Sequence, residues 1–269
     1  MLLYDKMKNA KAGRIALLKL FMEGNMTKIF AHRGASGEAP ENTLEAFRLA
    51  MEQGADGVEL DVQLTKDGEV VVIHDETIDR VSDGKGFVKD YTLDELRSFS
   101  FHNHMENYQG VKIPTLREVL QLMKAGRMEV NIELKTGIFW YDEIERKSME
   151  LVKAAGMQER VIYSSFNHYS VQKIKEMDGA AQTAYLYSDV ILDVEKYAQR
   201  SGVEGIHPAL YHMGMADFMK QYKDSGLKVR VWTVNEEKYM KLLIKEGIEA
   251  IITNYPEKAL LVRKEVVGC

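Results

Sequence analysis

Two histidines, each placed directly after a short apolar run, open the chemical reading: His32 in "KIFAHRG" and His74 in "VVVIHDE". An imidazole titrates near neutral pH, so one of the pair can take a proton while the other gives one. Between them "GVELDV" carries Glu59 and Asp61 two residues apart, and "VNIELK" later carries Asn131, Glu133 and Lys135 at the same spacing. Side chains at i and i+2 of a strand share a face, so each set projects together while Val58, Leu60 and Val62 face the other way. Three carboxylates with no thiolate beside them make a hard, oxygen-rich site suited to Mg²⁺ or Ca²⁺; with no cation they would repel one another and take up protons. Arg33 and Lys135 add fixed positive charge, and a guanidinium matches two oxygens of a phosphate. These are the parts that phosphodiester cleavage requires: a cation to polarise the phosphoryl oxygen, fixed charge to neutralise the transition state, and an acid to protonate the departing alkoxide.

Taken singly, each residue has a plainer explanation. A strand-end histidine is more often a hydrogen-bonded structural residue, an acidic pair more often meets solvent, and Trp232 and Phe166 read as core. What favours chemistry is that seven such side chains (His32, Arg33, Glu59, Asp61, His74, Glu133 and Lys135) all fall at strand ends.

For strand ends to converge, the strands must run parallel with their carboxyl ends together. From residue 28 onward, β-rich runs at 28–31, 57–62, 70–74, 129–134, 161–165, 183–186, 204–207, 229–233 and 250–252 alternate with amphipathic stretches, the pattern of an α/β chain with crossover helices. It predicts a TIM (β/α)8-type barrel over residues 26–269, with 1–25 as an N-terminal extension. Helix starts are signalled by capping-box pairs Asn42/Glu45, Thr92/Glu95 and Thr115/Glu118, and the first helix stops at Gly54. Further helices are predicted over 142–155, 168–177, 193–201, 214–225, 235–246 and 256–264. Two departures from the barrel rhythm stand out. The link "QLTKDGEV" between strands 57–62 and 70–74 is too short for a helix, and Asp67-Gly68 signals a hairpin; a turn near 66–69 would set Asp61 opposite His74. The polar stretch 75–115 is longer than an ordinary barrel loop and reads as a small insertion over the mouth.

Composition bounds the remaining choices. The chain has 269 residues, 45% hydrophobic and 29% charged, with net charge −5, which argues against nucleic acid as a partner. A single cysteine, Cys269, leaves no disulfide framework or cysteine-based zinc motif within one chain. No apolar run reaches the roughly 18–20 residues of a membrane span. The opening "MLLYDKMKNAKAGRIALLKLFMEGNM" imitates a signal peptide, but Lys19 breaks its apolar run and no small-residue cleavage site follows, so the expected location is the cytoplasm. Ile15, Leu18 and Phe21 or Met22 in that segment have helical spacing. Monomer and homodimer are both compatible with the sequence.

With those residues in place, "HRGASGEAPENTLEAF", "GADGVELDVQLTKDGEVVVIHDETIDRVSDGKG", "IPTLREVL", "NIELK", "VIYSSFN", "VRVWTVN" and "IITNYP" resemble, in order, the motifs of the glycerophosphodiester phosphodiesterase family. The resemblance covers about residues 27 to 262. It implies a TIM barrel with an insertion at 75–115, hydrolysing deacylated phospholipids such as glycerophosphocholine or glycerophosphoethanolamine to glycerol 3-phosphate and an alcohol. It also implies Glu59, Asp61 and Glu133 as ligands of Mg²⁺ or Ca²⁺, His32 and His74 as the acid–base pair, and Arg33 and Lys135 as phosphate contacts. Glu41, in "PENT", matches a position near the metal or the arginine.

Several alternatives stay open at this level. Attack by water and attack by the glycerol 2-hydroxyl through a cyclic phosphate both fit, since proximity favours the internal route. Trp232 could stack on a choline ammonium or simply pack. A lysophospholipase D or phosphoinositide-type lipase on the same scaffold should carry an apolar ridge at the mouth; the insertion offers Phe87, Tyr91, Phe99, Phe101 and Tyr108, with Phe99 in a helical pattern that uses it for packing, so soluble diesters stay ahead. A non-catalytic phosphate-ester sensor has no need of His32 and His74.

Overall fold

The computed structural model describes residues 26–268, so the expectations for residues 1–25 and Cys269 fall outside it. Among the described residues nine strands form: β1 (Lys28–His32), β2 (Gly57–Leu64), β3 (Val70–Val72), β4 (Glu129–Leu134), β5 (Val161–Ser165), β6 (Gln182–Tyr187), β7 (Gly205–Pro208), β8 (Lys228–Val231) and β9 (Ala250–Thr253). Eight of them pair in parallel in the order β1-β2-β4-β5-β6-β7-β8-β9, and β9 returns to β1, closing a TIM barrel. The ninth, β3, folds back antiparallel onto β2. All nine strands expected from the sequence are present.

The hairpin's register differs from the expectation by one residue. Val62 pairs with Val72, and Ile73 N–H donates to Asp61 O at 3.0 Å, so Asp61 lies opposite Ile73 and not His74. The turn decides this: Thr65 N–H bonds Glu69 O at 3.0 Å across residues 66–68, with Gly68 at φ 79°. An odd three-residue loop shifts the pairing relative to an even one.

Helices between the strands are α1 (Leu44–Gln53), α2 (Leu93–Leu96), α3 (Leu116–Lys124), α4 (Ile144–Ala155), α5 (His168–Met177), α6 (Val194–Arg200), α7 (Phe218–Asp224), α8 (Glu237–Glu246) and α9 (Pro256–Val267). The Thr92/Glu95 and Thr115/Glu118 boxes form reciprocally at α2 and α3. The first helix is capped one residue later than predicted: Thr43 accepts from Ala46 N–H, which frees Asn42, at φ 57°, for another use.

Alternation along the strands sorts the two sides of the barrel wall. Val58, Leu60 and Val62 pack outward with Leu116, Val119 and Ile144 of the helices. Phe30, Ile162, Ala184, Ala250 and Ile252 fill the interior. Gly57 belongs to that interior, because a Cβ there would stand 2.7 Å from the Phe30 ring. Within 75–115, Ile78, Val81, Val88, Leu96, Phe101 and Ile113 close a small core with Val71 and Ile73. No helix among the described residues is long and apolar enough to cross a membrane.

Candidate active site

Every side chain singled out for chemistry comes to the carboxyl end of the barrel. Glu59 and Asp61 on β2 and Glu133 on β4 each bring a carboxylate oxygen within 4.8 Å of the others, all three buried. This follows from period two and register, since Asp61 pairs directly with Glu133 and Glu59 with Asn131. Lys135 Nζ lies 2.9 Å from Glu133 Oε1 and 3.9 Å from Asp61 Oδ1, while Arg33 Nε lies 3.3 Å from Asp61 Oδ2.

His32 ends β1 with Nε2 3.9 Å from Glu59 Oε2. Its Nδ1 sits 2.7 Å from Asn254 Oδ1, and a carbonyl oxygen only accepts, so Nδ1 carries the hydrogen and Nε2 is left with a lone pair facing the site. His74 follows β3, and its Nδ1 donates to Asp75 Oδ1 at 2.6 Å. Both imidazoles line one cavity of about 180 Å³ with Arg33, Glu59, Glu133 and, on its apolar side, Phe166, Leu186 and Trp232. A larger groove of about 760 Å³ lies on the barrel's outer surface near Met149, Tyr163 and Met177, without converging ionisable groups of this kind, and we attach no chemistry to it.

The electrostatics are polarised. Burial and the neighbouring Asp61 and Glu133 push the Glu59 carboxyl well above its usual range. Burial also raises Glu133, with Lys135 opposing. For Asp61 the burial penalty is outweighed by Arg33, His74, Lys135 and a hydrogen bond from Asn42, so it stays ionised well below the ordinary carboxylate range. Burial and the adjacent Arg33 push His32 down to about 4. Buried Asp61 Oδ1 receives no hydrogen bond. An all-oxygen trio, two members of which resist ionisation and one of which has an unfilled lone pair, fits a hard divalent cation.

Four residues at the site escaped the sequence reading. Asn42 donates Nδ2 to Asp61 Oδ2 at 2.9 Å, and Asn254 orients His32. Asp75 holds His74, and Arg80 from the insertion grips both Asp75 and Glu41, with 2.7 Å contacts to each. Glu41 in turn receives Arg33 Nη1 at 2.9 Å; it stands outside the carboxylate trio. Asn254 and Asp75 lay inside recognised motifs, while nothing local to Arg80 marked its partners. One further reading changes, and one glycine has a packing reason. Phe166 is 42% exposed at the cavity, packed edge-on against Trp232 at 5.5 Å, and so is not core. Gly34, at φ 81°, is required because a Cβ there would meet Ala46 of α1 at 2.7 Å, a demand of helix packing more than of any ligand.

Comparison with known proteins gives the chain a family. The profile of the glycerophosphoryl diester phosphodiesterase family matches residues 32–258. A glycerophosphodiester phosphodiesterase of Caldanaerobacter subterraneus subsp. tengcongensis is 44% identical over 88% of this chain and 98% of its own length. One from Bacillus altitudinis is 41% identical over 90% of this chain and all of its own. A phosphodiesterase of Oleispira antarctica, solved in complex with the product sn-glycerol-3-phosphate, superposes with a TM-score of 0.81 at 30% identity, covering 88% of this chain and 96% of that one. The chain belongs to the glycerophosphoryl diester phosphodiesterase family.

Proposed function

We infer that this enzyme hydrolyses glycerophosphodiesters, glycerophosphocholine and glycerophosphoethanolamine among them, to sn-glycerol 3-phosphate and the free alcohol, with Mg²⁺ or Ca²⁺ held by Glu59, Asp61 and Glu133. The observation that carries this is one small cavity lined by two histidines, an arginine, Glu59 and Glu133, with buried Asp61 completing the acidic trio behind the two glutamates. The product bound to the Oleispira antarctica relative supports the same substrate class.

When bound, a divalent cation supplies Lewis acidity to a phosphoryl oxygen and offsets repulsion within the trio. Arg33 and Lys135 face the phosphate with fixed charge, restrained by Asp61, Glu41 and Glu133. His32, neutral and with Nε2 free, takes a proton from the attacking hydroxyl, whether that of water or the glycerol 2-hydroxyl. His74 donates to the leaving alkoxide, with the Asp75 carboxylate on its Nδ1 balancing the charged form. The apolar wall of Phe166, Leu186 and Trp232 receives the carbon skeleton of the glycerol.

The test is release of glycerol 3-phosphate from glycerophosphocholine by metal-stripped protein before and after Mg²⁺ or Ca²⁺ is restored. Activity lost on stripping and recovered with one ion supports the trio and identifies its metal. Full activity after stripping overturns the metal assignment. Turnover of a substrate lacking the 2-hydroxyl at the full rate excludes the internal nucleophile.

A further inference from the structure

The described residues leave 14 large hydrophobic side chains exposed, and six of them gather at one end of the barrel. Ile138 and Trp140 follow β4, Tyr169 follows β5, Val190 and Leu192 follow β6, and Tyr211 follows β7. Loops that follow barrel strands all open at the carboxyl end, which is also the end that presents His32, Glu59 and Glu133. Leu192 is 90% exposed, Tyr169 77% and Ile138 70%. Large side chains held this far into water just after four successive strands make an apolar arc along one side of the catalytic mouth. The insertion, despite its several aromatic residues, buries Phe101 and packs Phe99 against its own small core.

The charges of the arc narrow what can cover it. Residues 136–143, 166–169, 188–193 and 209–217 contain five acidic residues and no lysine or arginine. Arg146 and Lys196 offset Glu143 and Asp193, while Asp142, Asp189 and Asp217 face outward. Such a rim repels an anionic bilayer. It suits a surface whose outermost charge is an ammonium group, which acidic residues attract and exposed aromatic faces bind. An arc at the flat end of a barrel also matches a planar partner better than a helix or an extended peptide. Tyrosine and tryptophan are the side chains that settle at a lipid–water boundary.

We propose that this arc docks the protein, mouth down, on the surface of zwitterionic lipid bearing choline or ethanolamine headgroups. Docking requires no turnover, so the inference stands or falls apart from the hydrolase reading. It would place the catalytic pocket where partly deacylated phospholipids leave the membrane.

The test is co-sedimentation of the full chain with phosphatidylcholine vesicles and, separately, with phosphatidylglycerol vesicles. The expected result is binding to phosphatidylcholine that falls about a hundredfold in the double variant Ile138→Ser, Leu192→Ser. Hydrolysis of soluble glycerophosphocholine and the melting temperature should stay at the wild-type level, which shows that the variant is folded. No binding to phosphatidylcholine, undiminished binding by the double variant, or binding confined to phosphatidylglycerol overturns the proposal. So does a dimer in gel filtration that the double variant abolishes, since a second copy would then be what covers the arc.

Discussion

Asn42 Nδ2 donates to Asp61 Oδ2 at 2.9 Å, a buried contact between the turn before α1 and the centre of the acidic trio. Asparagine suits this position doubly, because it tolerates the left-handed φ of 57° and can donate to a carboxylate. Asn42→Ala removes a hydrogen bond to a charged acceptor, a loss of roughly 1.5–3 kcal/mol. The expected outcome is activity and metal affinity reduced about 10–100-fold, read by metal titration alongside kcat/KM. An Asn42→Ala enzyme within twofold of wild type in both would remove Asn42 from the site's support.

Glu59 carries a different prediction, because its carboxyl is raised in the fold. Its folded state holds a proton that the unfolded chain releases above the ordinary carboxylate range. The associated stability is therefore present at low pH and lost as pH rises through the folded value. His32, with its folded value lowered, acts in the opposite sense, losing stability as pH falls from its unfolded value towards about 4. Glu59→Gln isolates the first effect: metal-free variant protein at pH 8 should melt higher than wild type. The same variant should be inactive and gain little from added Mg²⁺ or Ca²⁺. A lower melting temperature than metal-free wild type would contradict this account.

Asn254 sets the proton inventory of His32. Replacing its amide with a carboxylate, Asn254→Asp, favours the imidazolium, so the acidic limb of kcat/KM should move to higher pH by about one unit. Asn254→Ala should lower kcat with KM little changed, because the ring loses orientation and not a substrate contact. The pH profiles of the three proteins decide the matter, and superimposable acidic limbs for wild type and Asn254→Asp would sink it.

Among the described residues, Arg80 is the one bonded to both Glu41 and Asp75, and through them it touches the supports of Arg33 and His74. With its side chain 43% exposed, its removal should scarcely change the melting temperature. Arg80→Ala should nevertheless lower kcat about tenfold or more, and Arg80→Lys should recover little, since one ammonium group cannot span two carboxylates as a guanidinium fork does. A lysine variant with wild-type kcat would show that charge alone suffices.

The chain's periodicities made the barrel legible before any coordinates: short β-rich runs bounded by glycine and acidic residues, and alternation that set Glu59 and Asp61 against Val58, Leu60 and Val62. What escaped was set by single-residue offsets or by distance along the chain. Asn42 is a good helix cap by type, and only the neighbouring Thr43 winning that place released it to Asp61. The hairpin register turned on whether the loop held two residues or three. Arg80 meets Glu41 from 39 residues away, a pairing no local pattern encodes. The apolar arc draws on residues just after four different strands, so it becomes visible only once the barrel closes.

The bond between His32 and Asn254 spans 222 residues and crosses the seam where β9 meets β1. The last helix tightens the same seam, with Arg263 Nη1 donating to Thr27 O at 3.1 Å. During synthesis, His32 therefore leaves the ribosome long before the residue that orients it exists. A nascent chain should be catalytically silent until Asn254 has emerged, and a premature stop ahead of Asn254 should yield no partial enzyme, only inert fragments for the proteases.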